Sequence, residues 1–156
     1  MDYRMLSREE MTLFDEDFKH YLIVNGIPNE AWLEMNEKNV SEAQKIVEVF
    51  SDVVLQKAYE KIQFLEFRSK QQLMLFSCEK EEIHLIGLSS KDEAVDFSTP
   101  EAIQESILNY NSQIQSFRQT KKYSKKREIE LFEMTEQGCV VSTKIFWDKI
   151  TKLIEV

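Results

Sequence analysis

Residues 72–88 read Gln72-Leu73-Met74-Leu75-Phe76-Ser77-Cys78-Glu79-Lys80-Glu81-Glu82-Ile83-His84-Leu85-Ile86-Gly87-Leu88. Two apolar runs of seven residues flank the polar connection Glu79-Lys80-Glu81. Runs of this length on either side of a short polar break read as a β-hairpin. Each run is apolar at adjacent positions as well as alternate ones, so both faces of the hairpin are expected to be covered, by helices. The connection is not Asn-Gly, which leaves its turn type open. Asp92–Ser98 offers a third strand, with Val95 and Phe97 on one side, because a lone two-stranded hairpin is marginal in water.

Upstream the period is helical. Ser7-Arg8-Glu9-Glu10 is a capping box, and Met11, Phe14, Phe18, Tyr21 and Leu22 follow at steps of three and four. Gly26 suits the left-handed position that closes a helix, so the first helix is expected over 7–25. Pro28 is expected at the first position of a short second helix with Ala31, Trp32 and Met35 on its buried side. Ser41-Glu42-Ala43-Gln44 repeats the capping pattern. Behind it Ala43, Ile46, Val47, Phe50, Val53, Val54, Ala58, Ile62 and Leu65 form the most regular 3.6-residue stripe in the chain. This predicts a third helix over 41–66, with the Lys57 stem snorkelling out of the stripe.

Downstream, Thr99-Pro100-Glu101 is a cap, a first-turn proline and a first-turn acid. Ile103, Ile107, Tyr110, Ile114 and Phe117 extend that helix to about 118. Arg118–Arg127 then reads as a basic polar linker. Residues 128–134 alternate as a strand would, yet their composition and the Gln137-Gly138 ending suit a helix, which is favoured. Ser142 is expected to cap a last helix bearing Ile145, Phe146, Ile150 and Leu153. The reading is α+β: a helix-rich single domain over 1–156, with about five or six helices and a small antiparallel hairpin or three-stranded sheet.

Composition narrows the function. The chain has 156 residues, a net charge of −8, 3 Gly, 2 Pro and 2 Cys. Two cysteines make no disulfide framework, and 17 aromatic residues argue against disorder. With glycine at 26, 87 and 138 alone, neither a Walker loop nor a dinucleotide fingerprint can be built, and no motif calls for a cofactor. The opening residues lack a basic-then-apolar leader, and no apolar run approaches the roughly 20 residues of a membrane span. A cytoplasmic location with reduced thiols is therefore expected. Two histidines in separate segments give no metal-ligand spacing, so no metal is expected. Cys78 and His84 lie on opposite arms of the hairpin and are noted as a pair, without a nucleophile elbow or triad to support catalysis.

Charge supplies the one uneven feature. Residues 112–127 carry +6 and the remainder −14. Arg118, Lys121, Lys122, Tyr123, Lys125, Lys126 and Arg127 are thus the candidate binding residues. The cations suit phosphates or an acidic partner, and the Tyr123 ring suits stacking on a base. The competing reading is a solvated loop neutralised by acids such as Glu128 and Glu130.

Tyr3–Glu10, Asn25-Gly26-Ile27, Trp32, Phe50–Val54, Leu65–Ser69 and Ile83–Leu88 together resemble an uncharacterised domain family of small cytoplasmic proteins from Bacteroidetes-type bacteria. The resemblance implies a bacterial source and no activity or site. Three functional expectations remain. A non-catalytic protein-interaction or adaptor module with a protein partner leads. An RNA- or ribosome-associated factor acting through 118–127 follows, then a small enzyme or ligand-binder whose site has no recognisable motif.

Overall fold

The computed structural model describes residues 1–155. By internal contact the chain forms one unit over residues 1–60 and a second from Lys61 onward. The first holds α1 (Arg8–Leu13), α2 (Asp15–Val24), α3 (Asn29–Lys38) and α4 (Val40–Glu60). The second holds β1 (Phe64–Arg68), β2 (Gln72–Cys78), β3 (Glu82–Ser89), α5 (Pro100–Asn109), β4 (Gln115–Lys122), α6 (Arg127–Glu136), β5 (Val140–Val141) and α7 (Lys144–Glu155). Among the described residues no helix is long and apolar enough to cross a membrane.

In the first unit the Ser7 capping box forms as expected: Ser7 Oγ accepts from Glu10 N, and Ser7 N donates to Glu10 Oε1 at 2.8 Å. The expected 7–25 helix breaks at Phe14, however. Asp15, Glu16 and Asp17 follow in succession, and three acids are better placed in the first turn of a new helix than inside an old one. Gly26, at φ 74°, closes α2. Pro28 precedes α3 as its cap rather than occupying its first turn, and α4 begins one residue before Ser41. Phe18, Leu22, Phe50 and Leu55 are buried together with Leu6, ringed by Met11, Tyr21, Trp32, Ile46, Val47 and Val54. Ser51 is fully buried in α4; its hydroxyl donates to Val47 O and accepts from Leu6 N at 3.1 Å.

In the second unit the 72–88 hairpin forms, but it is the middle of a larger sheet. Five antiparallel strands run in the order β4-β3-β2-β1-β5. The sheet thus exceeds a hairpin or three strands, and seven α-helices are present among the described residues rather than five or six. α4 stops at Glu60, because Phe64–Arg68 pair with β2 and Leu65, assigned above to the helical stripe, is buried in β1. α5, capped as expected by Thr99, stops at Asn109. Asn109, Asn111 and Ser112 are poor helix formers whose side chains compete for backbone groups. The chain turns there and spends Gln115–Lys122 on an eight-residue ladder with β3. Residues 92–98 are not a strand; Val95 and Phe97 are nevertheless fully buried, with Phe97 N donating to Lys70 O at 2.8 Å. α6 settles 127–136 as helix. Thr143, not Ser142, caps α7, accepting from Phe146 N at 3.1 Å. Leu73, Leu75, Ile86 and Leu88 on one sheet face pack with Val95, Phe97, Ile103, Ile107 and Ile150.

Candidate functional site

The basic segment is not a linker. Gln115–Lys122 is an edge strand, and all eight of its residues are exposed. Its register with β3 pairs Arg118 with Ile86, Thr120 with His84 and Lys122 with Glu82. Because strand side chains alternate, Arg118, Thr120 and Lys122 share one face, while Phe117, Gln119 and Lys121 take the other. Tyr123–Lys126 make the turn, and Arg127 opens α6. The seven predicted residues are therefore distributed over two sheet faces, a turn and a helix start.

Most of the cations have acidic partners within the second unit. Lys121 Nζ lies 3.1 Å from Glu130 Oε1, and Lys125 Nζ lies 2.6 Å from Glu133 Oε1. Arg118 Nη2 is 3.6 Å from Glu155 and Arg127 Nη1 is 3.0 Å from Glu128. The buried Glu130 carboxylate also accepts from Ser124 N at 2.9 Å, so it orders the turn as well as neutralising Lys121. Among the described residues Lys122 and Lys126 have no ion pair.

Two of the seven hold the sheet to α6. The Arg127 guanidinium, with a side chain 13% exposed, donates to Cys78 O at 3.0 Å, Glu79 O at 3.0 Å and Ile62 O. Tyr123 Oη donates to Glu79 O at 2.8 Å, and burial pushes its phenol up to about 12. Its hydroxyl is thus engaged with the hairpin. Spacing along the chain gave no sign of these contacts, since their carbonyl partners lie 44 to 65 residues away.

Cys78 pairs in register with Ile83, and Ser77 with His84. Cys78 and His84 are therefore one register step apart with side chains on opposite faces. The Cys78 thiol is buried, and burial pushes it up to about 12, which leaves no thiolate for nucleophilic attack at neutral pH. His84 instead faces β4 and the hairpin end. Its Nδ1 is 2.7 Å from Thr120 Oγ1, and its Nε2 is 3.1 Å from Glu79 Oε2 and 3.6 Å from Glu82 Oε1. Glu79, Glu82 and His84 each present one ligand atom within 4.8 Å of the others. No sequence signal marked this group, because Glu79 sat in what read as a plain polar connection, while Glu82 and His84 opened an apolar strand run.

A family model described as a family of unknown function (DUF6495) matches residues 1–155. No curated protein matches the chain, and no solved structure does.

Proposed function

Because the chain belongs to this family of unknown function, we propose its role from its own surface: it is a protein-interaction module that receives an extended acidic segment of a partner along β4. The observation that carries the reading is the eight-residue edge strand with every side chain exposed. Among the described residues, no backbone group of 115–122 bonds to a backbone outside its ladder with β3. An exposed strand edge is a template on which an added strand gains main-chain hydrogen bonds. The strand carries Arg118, Lys121 and Lys122 and no acid, which selects an acidic partner. It also opposes pairing of β4 with a second copy of itself, since like charges directly opposed destabilise a ladder. Nucleic acid is less well served, because the strand edge offers main-chain N–H and C=O groups that an extended peptide can pair with and a phosphate backbone cannot. The two free cysteines accord with a cytoplasmic bacterial protein, the setting this reading assumes.

Selection of extended peptides from a random display library against the full chain tests the proposal. Acidic, β-branched peptides are expected, and their binding should shift the amide resonances of Gln115–Lys122. Selected peptides that map elsewhere, a failure to select any, or an oligouridine that shifts the same amides in their place would overturn it.

A further inference from the structure

We propose that the end of the β2–β3 hairpin is a divalent transition-metal site, with Glu79, Glu82 and His84 as ligands and zinc-class ions as the ligand chemistry. The topology puts the three together. Glu79 N donates to Glu82 O at 3.0 Å, so Lys80 and Glu81 form the hairpin tip while Glu79 and Glu82 face each other across it. His84 lies two residues beyond Glu82, on the same face of β3.

The spacing suits an ion. Zinc bonds of about 2.0–2.2 Å to imidazole nitrogen and carboxylate oxygen, at tetrahedral angles, set ligand atoms roughly 3.3–3.5 Å apart. His84 Nε2 stands 3.1 Å from Glu79 Oε2 and 3.6 Å from Glu82 Oε1, on either side of that value. The donor set, one imidazole and two carboxylates, favours zinc, iron or manganese over calcium, which takes oxygen alone.

The surroundings hold the ligands in place. Thr120 Oγ1 lies 2.7 Å from Nδ1 on the far side of the ring, the position of the hydrogen-bonding partner that orients a metal-bound histidine. In the tautomer whose Nδ1–H donates to Thr120, the Nε2 lone pair faces the Glu79 and Glu82 carboxylates, and a cation between them would take all three as ligands. The Glu79 carbonyl is pinned by Tyr123 Oη at 2.8 Å and Arg127 Nε at 3.0 Å, which anchors the backbone that carries this ligand. The side chains are 32% (His84), 56% (Glu79) and 42% (Glu82) exposed, so solvent reaches the remaining coordination positions. Of the neighbouring charges, Glu81 favours a cation, and Lys80 and Lys122 oppose one. The site borrows Thr120 from β4 but does not require the outer edge of that strand to be filled.

The test is calorimetric titration of the full chain with Zn2+, alongside Co2+ absorption. One equivalent is expected to bind. H84Q and E79Q should abolish saturable binding, T120V should weaken it roughly 10- to 100-fold, and H20Q should leave it unchanged. Long-range imidazole NMR on the unmutated chain should show Nε2 of His84 ligated, a readout that needs no variant to fold. Binding absent from the unmutated chain, lost with His20 rather than His84, or leaving the His84 imidazole signals unmoved would overturn the proposal.

Discussion

Replacing Arg127 with Met should destabilise the second unit severely. The change keeps the aliphatic stem and removes the guanidinium. Arg127 reaches the carbonyls of Ile62 ahead of β1, of Cys78 at the end of β2 and of Glu79 in the turn, and its side chain is 13% exposed. Hydrogen bonds to a charged group contribute about 1.5–3 kcal/mol each, and three that share one donor group do not add. Glu128, its ion-pair partner, has a side chain 14% exposed and would lose that partner. Loss of one member of a fully buried pair costs about 3–5 kcal/mol; this pair is part-buried, so the low end, about 3 kcal/mol, is expected. With a urea slope of about 2 kcal/mol per molar, the midpoint should fall by roughly 1.5 M. Trp147, which packs 5.9 Å from Phe64 in this unit, reports the transition in a W32F background. R127K keeps the charge without the planar fork and should fall between the two. A shift below about 0.5 kcal/mol for R127M, the range of an ordinary surface change, would refute the role of Arg127 as a brace.

Other consequences are local. A Cβ at Gly87 would meet Phe117 Cε1 and Cζ at 2.3 Å, so G87A should cost about 1–2 kcal/mol. The half-exposed ring can swing aside, so G87A with F117A should cost less than the two singles combined; strict additivity in the double-mutant cycle would contradict the clash. Arg4, hydrogen-bonded to Glu10, and the Ser7 amide hold the Glu10 carboxyl down from 4.5 to about 2. The stability this gives is complete above about 4.5 and is lost as pH falls through about 2. Discounted for solvent exposure it is about 1 kcal/mol, so the stability difference between the unmutated chain and E10Q should shrink on acidification; a difference constant down to pH ~2 would count against it. With C139S removing the second thiol, Cys78 should resist Ellman's reagent at pH 8 until urea unfolds the chain. Fast labelling of the folded protein would contradict its burial.

What was legible lay in local signals. The Ser7 capping box, Gly26, Thr99-Pro100, the 72–88 hairpin and the α6 helix all rest on residues within a few positions of one another. What was not legible depends on distant pairing. β1 was absorbed into a helical stripe because Ile62 and Leu65 happen to continue its period, and β2 overrules it. Phe117 continued the α5 stripe in the same way until β3 claimed Gln115–Lys122. The two-residue β5 is too short to carry a period at all. Within the basic segment, charge was readable from composition, whereas the division between the Arg127 brace, the ion-paired lysines and the exposed strand edge depends on partners in α6, β2 and β3.

Residues 115–122 form an open strand edge rather than a solvated basic loop. Amide hydrogen exchange along this segment of the free chain tests it most directly. Antiparallel pairing along one side alone directs alternate N–H groups into the ladder with β3 and the others to solvent. Alternating slow and fast amides are expected from Gln115 to Lys122, with the fast set slowing when an acidic extended peptide binds. Uniformly fast exchange would mean that the segment is the loop its composition suggests, and uniformly slow exchange would mean that the edge is already covered.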